Sequence, residues 1–247
     1  MQQASIAKVP SVTVGRILDE AITRRHSALD EHSAKAILSE IGIDVPKRVR
    51  IAPGQAVASA LSGLRPPFVL KGLASQAIHK SDIGAVVLGL SDAAAVESCC
   101  AEIHRKMVHA GYELTGYLIE EMASPGIEIV IGGVTDPQLG PMLMVGAGGV
   151  YAEILKDVSF RLCPIDARDA HEMVSELKIA PILNGARGRS AVDIKRIHAA
   201  LLALGGESGF FTTYAAQVTE FDLNPLIASP DGLIAVDSRM VLAGGER

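Results

Sequence analysis

Near the C-terminal end, Glu220, Asp222 and Asn224 alternate with Phe221 and Leu223, and Asp237 follows beyond the segment Ser229-Pro230-Asp231-Gly232. Side chains alternate faces along a strand, so the three polar residues share one side. Pro presets φ and Gly accepts positive φ, which makes the tetrapeptide a hairpin turn. With Pro230 and Asp231 as its central residues, the register sets Asn224 opposite Asp237, their Cβ atoms about 5 Å apart; a three-residue loop shifts that register by one. Three or four oxygen donors without sulfur or imidazole suit a hard cation such as Mg²⁺, which also takes water and phosphate oxygens. Carboxylates crowded on one face repel unless a cation or a base sits among them. The alternative is that Asp-Leu-Asn-Pro merely ends a strand, since Asn and Pro are common turn residues.

Two further stretches have the composition to handle phosphate. Lys71 follows the apolar run Phe68-Val69-Leu70, and its ammonium is expected to emerge at the end of that strand as a point charge for a phosphate. Shortly after it, Ile78-His79-Lys80-Ser81-Asp82-Ile83-Gly84 gathers an imidazole, a cation, a hydroxyl and a glycine in one loop. Gly lets a backbone approach closely, Lys supplies charge, and a His near neutrality can accept or pass a phosphoryl group or a proton. A single His in a polar loop is also what an ordinary surface loop contains. The pair Gly148-Gly149 reads either as a tight turn or as a cradle of amides for phosphate.

Elements able to position these residues are visible in the apolar periodicity. Ala34, Ile37, Leu38 and Ile41 recur at helical spacing between an N-cap at Asp30 and a terminating Gly42. A second helix starts at Ser91, carries Val96, Ile103 and Met107, and stops at Gly111. Strands are expected at 68–70, 85–90, 117–122, 127–131 and 141–145, with helices from near Asp166 and near Ser190. Two β segments, 218–226 and 233–241, close the chain. Residues 1–28, with Arg16, Arg24 and Arg25, read as an appended arm outside the main core whose deletion should spare the fold.

The chain has 247 residues, 49% of them hydrophobic, enough for a substantial core in one large or two modest domains. A net charge of -5 provides no basic field, which argues against nucleic acid as a partner. No apolar run is long enough to span a membrane, and no leader-like segment opens the chain, so a soluble cytoplasmic protein is expected. Three cysteines without a CxxC pair fit a reducing compartment.

Taken in order, these segments resemble the ATP-grasp domain of the ADP-forming acetate–CoA ligase and acyl-CoA synthetase family, a relative of the succinyl-CoA synthetase β subunit. The resemblance runs from about Leu29 to Leu242. It is carried by Leu70-Lys71, by the loop from His79 to Gly84, by Glu120-Glu121-Met122 with Gly126-Ile127-Glu128, and by Asp136 with Leu139-Gly140-Pro141. It continues through Gly148-Gly149, Glu153-Ile154-Leu155-Lys156-Asp157, the segment from Leu183 to Gly188, Glu220 through Leu226, and Asp237.

The resemblance implies an α/β ATP-grasp fold in which two α+β subdomains, 29–114 and 115–247, grip a nucleotide. It implies that Lys71 holds the phosphates, with Lys80, Ser81, Gly84, Gly148 and Gly149 around them. The backbone of Ile119 to Met122, including Glu120 and Glu121, is implied to read adenine, and Glu128 to lie near the ribose or phosphates. Asp222, Asn224 and Asp237 are implied to coordinate Mg²⁺, and His79 to take part in phosphoryl relay between ATP or ADP and a phosphohistidine on a partner. That partner is an α subunit carrying the CoA-binding and phosphohistidine domains, in an α₂β₂ assembly, so this chain by itself is expected to bind nucleotide without CoA-ligase activity. Where the family has two glycines this chain has Gly84-Ala85, and an alanine forced to positive φ would alter loop closure. The rival readings are an ATP-grasp carboxylate–amine ligase and a regulatory ATP-grasp module without chemistry.

Overall fold

The computed structural model describes residues 11–74, 83–149, 156–188 and 190–244. Two antiparallel sheets each build their own core. The larger has seven strands in the order β1 (Ala28–Leu29), β11 (Arg239–Leu242), β9 (Val218–Ser229), β6 (Ile127–Asp136), β7 (Gly140–Ala147) and β8 (Val158–Leu162), with β10 (Gly232–Ala235) pairing the distal half of β9. The smaller has four, ordered β2 (Arg48–Ile51), β5 (Gly116–Glu121), β3 (Phe68–Leu73) and β4 (Val86–Leu90).

One face of the large sheet is covered by helices. Ile131, Leu143, Val145 and Leu223 on the strands meet Ile37 and Leu38 of α2 (Glu31–Glu40), and Met173 of a helix over Ala167–Ser175. Leu201 of a helix over Ile194–Gly205 joins the same cluster. The local signals behave as their chemistry dictates: Asp30 caps α2 by accepting from the Ser33 amide at 2.8 Å, and Gly42, at φ 85°, ends it. Asp166 and Asp169 form a reciprocal capping box at the start of the helix Ala167–Ser175. The helix expected from Ser91 runs over Ala93–His109, capped by Asp92, and packs on the small sheet through Val96, Ile103 and Met107 against Phe68, Leu70 and Ile119.

The expected arm at the start of the chain is a correction. A helix over Val12–Thr23, α1, lays Val14, Leu18 and Ala21 into the same core as α2 and the large sheet. Ser11 ties it to α2 through a 2.6 Å hydrogen bond to Glu40. The chain then enters the large sheet directly, with Ala28 and Leu29 pairing Val241 and Met240. The two cores therefore divide the chain differently from the expected 1–28, 29–114 and 115–247. Among the described residues, the large lobe takes those of 11–45 and 127–244, and the small lobe is an insertion from β2 to β5.

The second face of the large sheet looks toward the small lobe near β9 and is open toward β8. There Phe160 and Leu162 are 52% and 50% exposed, and they pair Met144 and Met142 of β7, which pair Gly132 and Val134 of β6.

Candidate functional site

Strand alternation decides what the small sheet presents to the large lobe. Phe68, Leu70, Tyr117 and Ile119 pack under the helix Ala93–His109, so Val69, Lys71 and Glu120 must face the other way. They line a cavity of about 430 Å³ between the lobes, within the range of small-molecule sites. Val69, Val86, Leu88, Met122 and Ile227 supply apolar walls fit for a flat ring, while Lys71, Glu120, Glu128 and Asp237 supply charge.

Lys71 does not emerge at a strand end. The strand continues to Leu73, all six of its residues are buried, and Lys71 lies inside it with its ammonium held by Glu31 Oε1 at 2.5 Å, the carbonyl of Val236 at 2.5 Å and Glu120 Oε2 at 3.1 Å. Lys35 completes the arrangement, bonding both carboxylate oxygens of Glu120 at 2.6 and 2.7 Å, Glu31 at 2.8 Å and the Val236 carbonyl at 2.9 Å. Two carboxylates and two ammoniums thus alternate in a closed ring. Burial disfavours charge on both lysines; for Lys71 the nearby Glu31, Asp237 and Glu120 outweigh it and hold the ammonium above the ordinary lysine range. For Lys35 burial prevails over Glu31 and Glu120 and lowers it. Glu31 and Lys35 were not among the expected site residues. Their i,i+4 spacing was legible, but such a pair ordinarily marks a solvated helix face.

The implied adenine-reading stretch is corrected in part. β5 is paired on both edges to its end: the Glu121 amide donates to the Lys47 carbonyl at 2.9 Å and the Met122 amide to the Pro67 carbonyl at 2.9 Å. Those two amides are committed to the small sheet, and the Glu120 side chain to the ion ring. The Glu121 carboxylate accepts from the Arg65 amide at 3.0 Å. Ala123 and Ser124, which follow and also line the cavity, continue this wall.

The glycine pair is placed where its lack of side chains matters. Gly148 donates to the Glu128 carbonyl at 2.9 Å, and at Gly149, φ 56°, a Cβ would collide with the Glu128 carboxylate. Both glycines thus lie against Glu128, which lines the cavity. Gly84, φ 65°, lies instead against Lys106 of the helix Ala93–His109 and is not among the cavity's lining residues. Its neighbour Ala85 needs no positive φ: it is fully buried, and its carbonyl accepts from the Gly72 amide at 2.9 Å. His79, Lys80 and Ser81 lie outside the described residues, as do Glu153, Ile154 and Leu155.

At the hairpin, the register expected from the turn holds on both sides of the site. Leu226 pairs Ala235, and further along Asp222 pairs Arg239. Between them the strand breaks at residues 236–238, so Asp237 leaves the ladder opposite Asn224 and turns into the cavity. Burial and the neighbouring Asp237 carboxylate raise the Asp222 carboxyl above the usual range, against the opposing pull of Arg239 and a hydrogen bond from Asn224. Glu220, the fourth oxygen donor on this face, is engaged by Arg239 at 2.6 Å. Among the described residues no three His, Cys, Asp or Glu form a metal-holding group. Asp222, Asp237 and the amide oxygen of Asn224 make up an all-oxygen donor set of the kind that suits Mg²⁺ with water and phosphate completing its shell.

Similarity to known proteins identifies the family of the chain. Residues 20–242 match the ATP-grasp domain family. The chain is 36% identical over 234 residues to the β subunit of acetate–CoA ligase [ADP-forming] I from Pyrococcus furiosus, covering 94% of this chain and 99% of that one. The dinucleotide-forming acetyl-coenzyme A synthetase 1 of Ca. Korarchaeum cryptofilum, in complex with coenzyme A, Ca-AMPCP and HgCl⁺, superposes with a TM-score of 0.84 at 36% identity, covering 92% of this chain and 98% of that one. The same enzyme with coenzyme A and Mg-AMPPCP, its phosphohistidine segment pointing towards the nucleotide binding site, gives a TM-score of 0.77 at 35% identity, covering 93% and 99%. This chain belongs to the ATP-grasp family, among the β subunits of the ADP-forming acetate–CoA ligases.

Proposed function

We propose that the cavity between the lobes binds Mg²⁺ with ADP or ATP, and that the chain passes a phosphoryl group between this nucleotide and a phosphohistidine on a CoA-binding α subunit, as the nucleotide half of an acyl-CoA synthetase. The observation that carries this reading is the meeting of Lys71 and Asp237 in one apolar-walled cavity of about 430 Å³. Phosphoryl transfer needs little covalent chemistry from a protein beyond placement and charge neutralisation. Val69, Leu88 and Met122 exclude water around a planar base, Lys71 meets phosphate oxygens, and Glu128, backed by Gly148 and Gly149, takes a ribose hydroxyl. Asp222, Asn224 and Asp237 hold the cation, which when bound neutralises phosphate charge. His79 is the relay to the partner. A reducing cytoplasm suits the three free cysteines, and among the described residues no helix is long and apolar enough to cross a membrane.

Mixing the chain with its α subunit, acetyl-CoA, phosphate and Mg·ADP tests the assignment. ATP should form with both subunits and with neither alone, and acid-labile phosphohistidine should appear from labelled ATP. His79→Ala should keep Mg·ADP binding and lose at least about 100-fold in turnover, the scale of a missing catalytic group. Full turnover by His79→Ala would remove the relay from this chain.

The open face of the large sheet supports the partner. Val134, Met142, Met144, Phe160 and Leu162 form an apolar surface that continues through Gly132 to Asp222, since a Cβ at Gly132 would touch Met144 at 3.4 Å and stand 3.9 Å from Asp222. A contiguous apolar face of this kind marks a protein contact. An α₂β₂ assembly follows the family pattern. Phe160→Glu should weaken association with the α subunit by about 2 kcal/mol or more, the scale of an interface anchor, and leave Mg·ADP affinity intact. Analytical ultracentrifugation of the mixed subunits distinguishes this from an undisturbed complex, which would place the contact elsewhere.

A further inference from the structure

Lys35 does not line the cavity. It is fully buried, outside the cavity lining, and yet charged chemistry surrounds it. A buried ion pair gains little over apolar packing of the same volume, so its presence beneath a ligand cavity calls for a reason beyond stability.

We propose that Lys35 is a positioning residue for the nucleotide site: it holds Glu120 and Glu31 so that Lys71 can leave them for phosphate. This rests on the reading that Lys71 meets nucleotide phosphates, and three observations carry it. The first is division of labour. Lys35 takes both oxygens of Glu120, at 2.6 and 2.7 Å, whereas Lys71 reaches Glu120 only at 3.1 Å, the longest contact in the ring. That contact is the one most readily exchanged for a phosphate oxygen, and Glu120 stays paired when it goes. The second is charge. Glu31, Glu120, Lys35 and Lys71 sum to zero; without Lys35 the same groups carry one net negative charge beside Asp237 and Glu128, where a polyphosphate has to enter. The two carboxylates would then compete for the ammonium of Lys71 instead of sharing a second cation. The third is connectivity. Lys35, Glu31 and Val236 belong to the large lobe, Lys71 and Glu120 to the small one, and the Val236 carbonyl accepts from both lysines, at 2.9 and 2.5 Å, one residue before Asp237. Lys35 therefore fixes the spacing between the lysine that meets phosphate and the carboxylate that meets the cation.

Calorimetric titration of the full chain with Mg·ADP, and NMR titration with adenosine, which has base and ribose but no phosphate, test the role. Lys35→Met should lose on the order of tenfold or more in Mg·ADP affinity with adenosine binding unchanged. Lys35→Met/Glu120→Gln, which restores zero net charge, should recover most of the loss. A second comparison covers the case in which Lys35→Met alone fails to fold: Glu120→Gln, with one net positive charge, should bind Mg·ADP on the order of tenfold more tightly than the double variant. Equal loss of ADP and adenosine binding, or no recovery in the double variant, overturns the proposal in favour of a purely structural ring, and so does equal ADP affinity for Glu120→Gln and the double variant. Wild-type protein that binds adenosine and ADP alike overturns it at its root, because the phosphate reading of Lys71 falls with it.

Discussion

A chain beginning at Ser27 should fail to fold stably. Removing α1 uncovers the apolar surface that Val14, Leu18 and Ala21 share with Ala34, Ile37 and Leu38, and it leaves Ala28 and Leu29 at a ragged start of the strand that closes the large sheet. Leu18 is fully buried, and its replacement by Ala alone should cost about 2–5 kcal/mol. Set against a net stability of about 5–15 kcal/mol for a typical domain, loss of the whole helix leaves little or nothing. Thermal melts and limited proteolysis check both changes. Leu18→Ala should lower the melting temperature by several degrees while Mg·ADP still binds, and the truncated chain should be cut throughout the large lobe. A truncated protein that melts like the full chain would mean that the helix is an accessory.

The signal for that helix lay in the sequence. Val14, Ile17, Leu18, Ala21 and Ile22 recur at helical spacing, yet a terminal position and three arginines make such a segment look peripheral. Its partners, Leu29 and the stripe of α2, become neighbours only because β1 pairs with β11, near the other end of the chain. The features that were legible are those fixed by neighbours in sequence. Asp30 and Gly42 bracket α2 because capping is local chemistry, and the turn at Pro230 and Asp231 fixes the register from Glu220 to Val241 because a hairpin propagates its own pairing. What stayed hidden depends on contacts between distant segments. Glu31 and Lys35 gain their meaning when the small lobe brings Lys71 and Glu120 down on them. The Glu121 and Met122 amides lose theirs as base readers when Lys47 and Pro67 arrive on either side. The Gly84-Ala85 departure strains no backbone for a similar reason, since only the glycine takes the left-handed turn and the alanine fills the small core. The family resemblance supplied the roles, and the packing decided which atoms are left to perform them.

Asp222→Asn should trade function for stability. The carboxyl of Asp222 is raised above its ordinary range by burial and by Asp237, so the folded protein holds that proton more tightly than the unfolded chain. The sign follows from linkage: stability is highest below the ordinary aspartate pKa of about 4, falls as pH rises through the raised folded value, and stays reduced at neutrality. Without a cation, ionised Asp222 thus works against the fold at pH 7, and Asn, of the same shape and neutral, relieves it. Metal-free Asp222→Asn should therefore melt above the wild type at pH 7, and the gap should close as pH approaches about 4. In the presence of Mg·ADP the order should reverse. The wild type gains stability by ligand binding in proportion to RT ln(1 + [L]/Kd), whereas the variant, short of one anionic ligand, should bind about 10- to 100-fold more weakly and gain correspondingly less. Asp237→Asn should behave alike in binding, because the two carboxylates act on one cation. Calorimetry at two pH values, with and without Mg·ADP, reads both halves of the trade. A variant less stable than the wild type in metal-free buffer at pH 7 would mean that Arg239 and Asn224 already balance the charge of Asp222. Unchanged Mg·ADP affinity would move the cation off this hairpin.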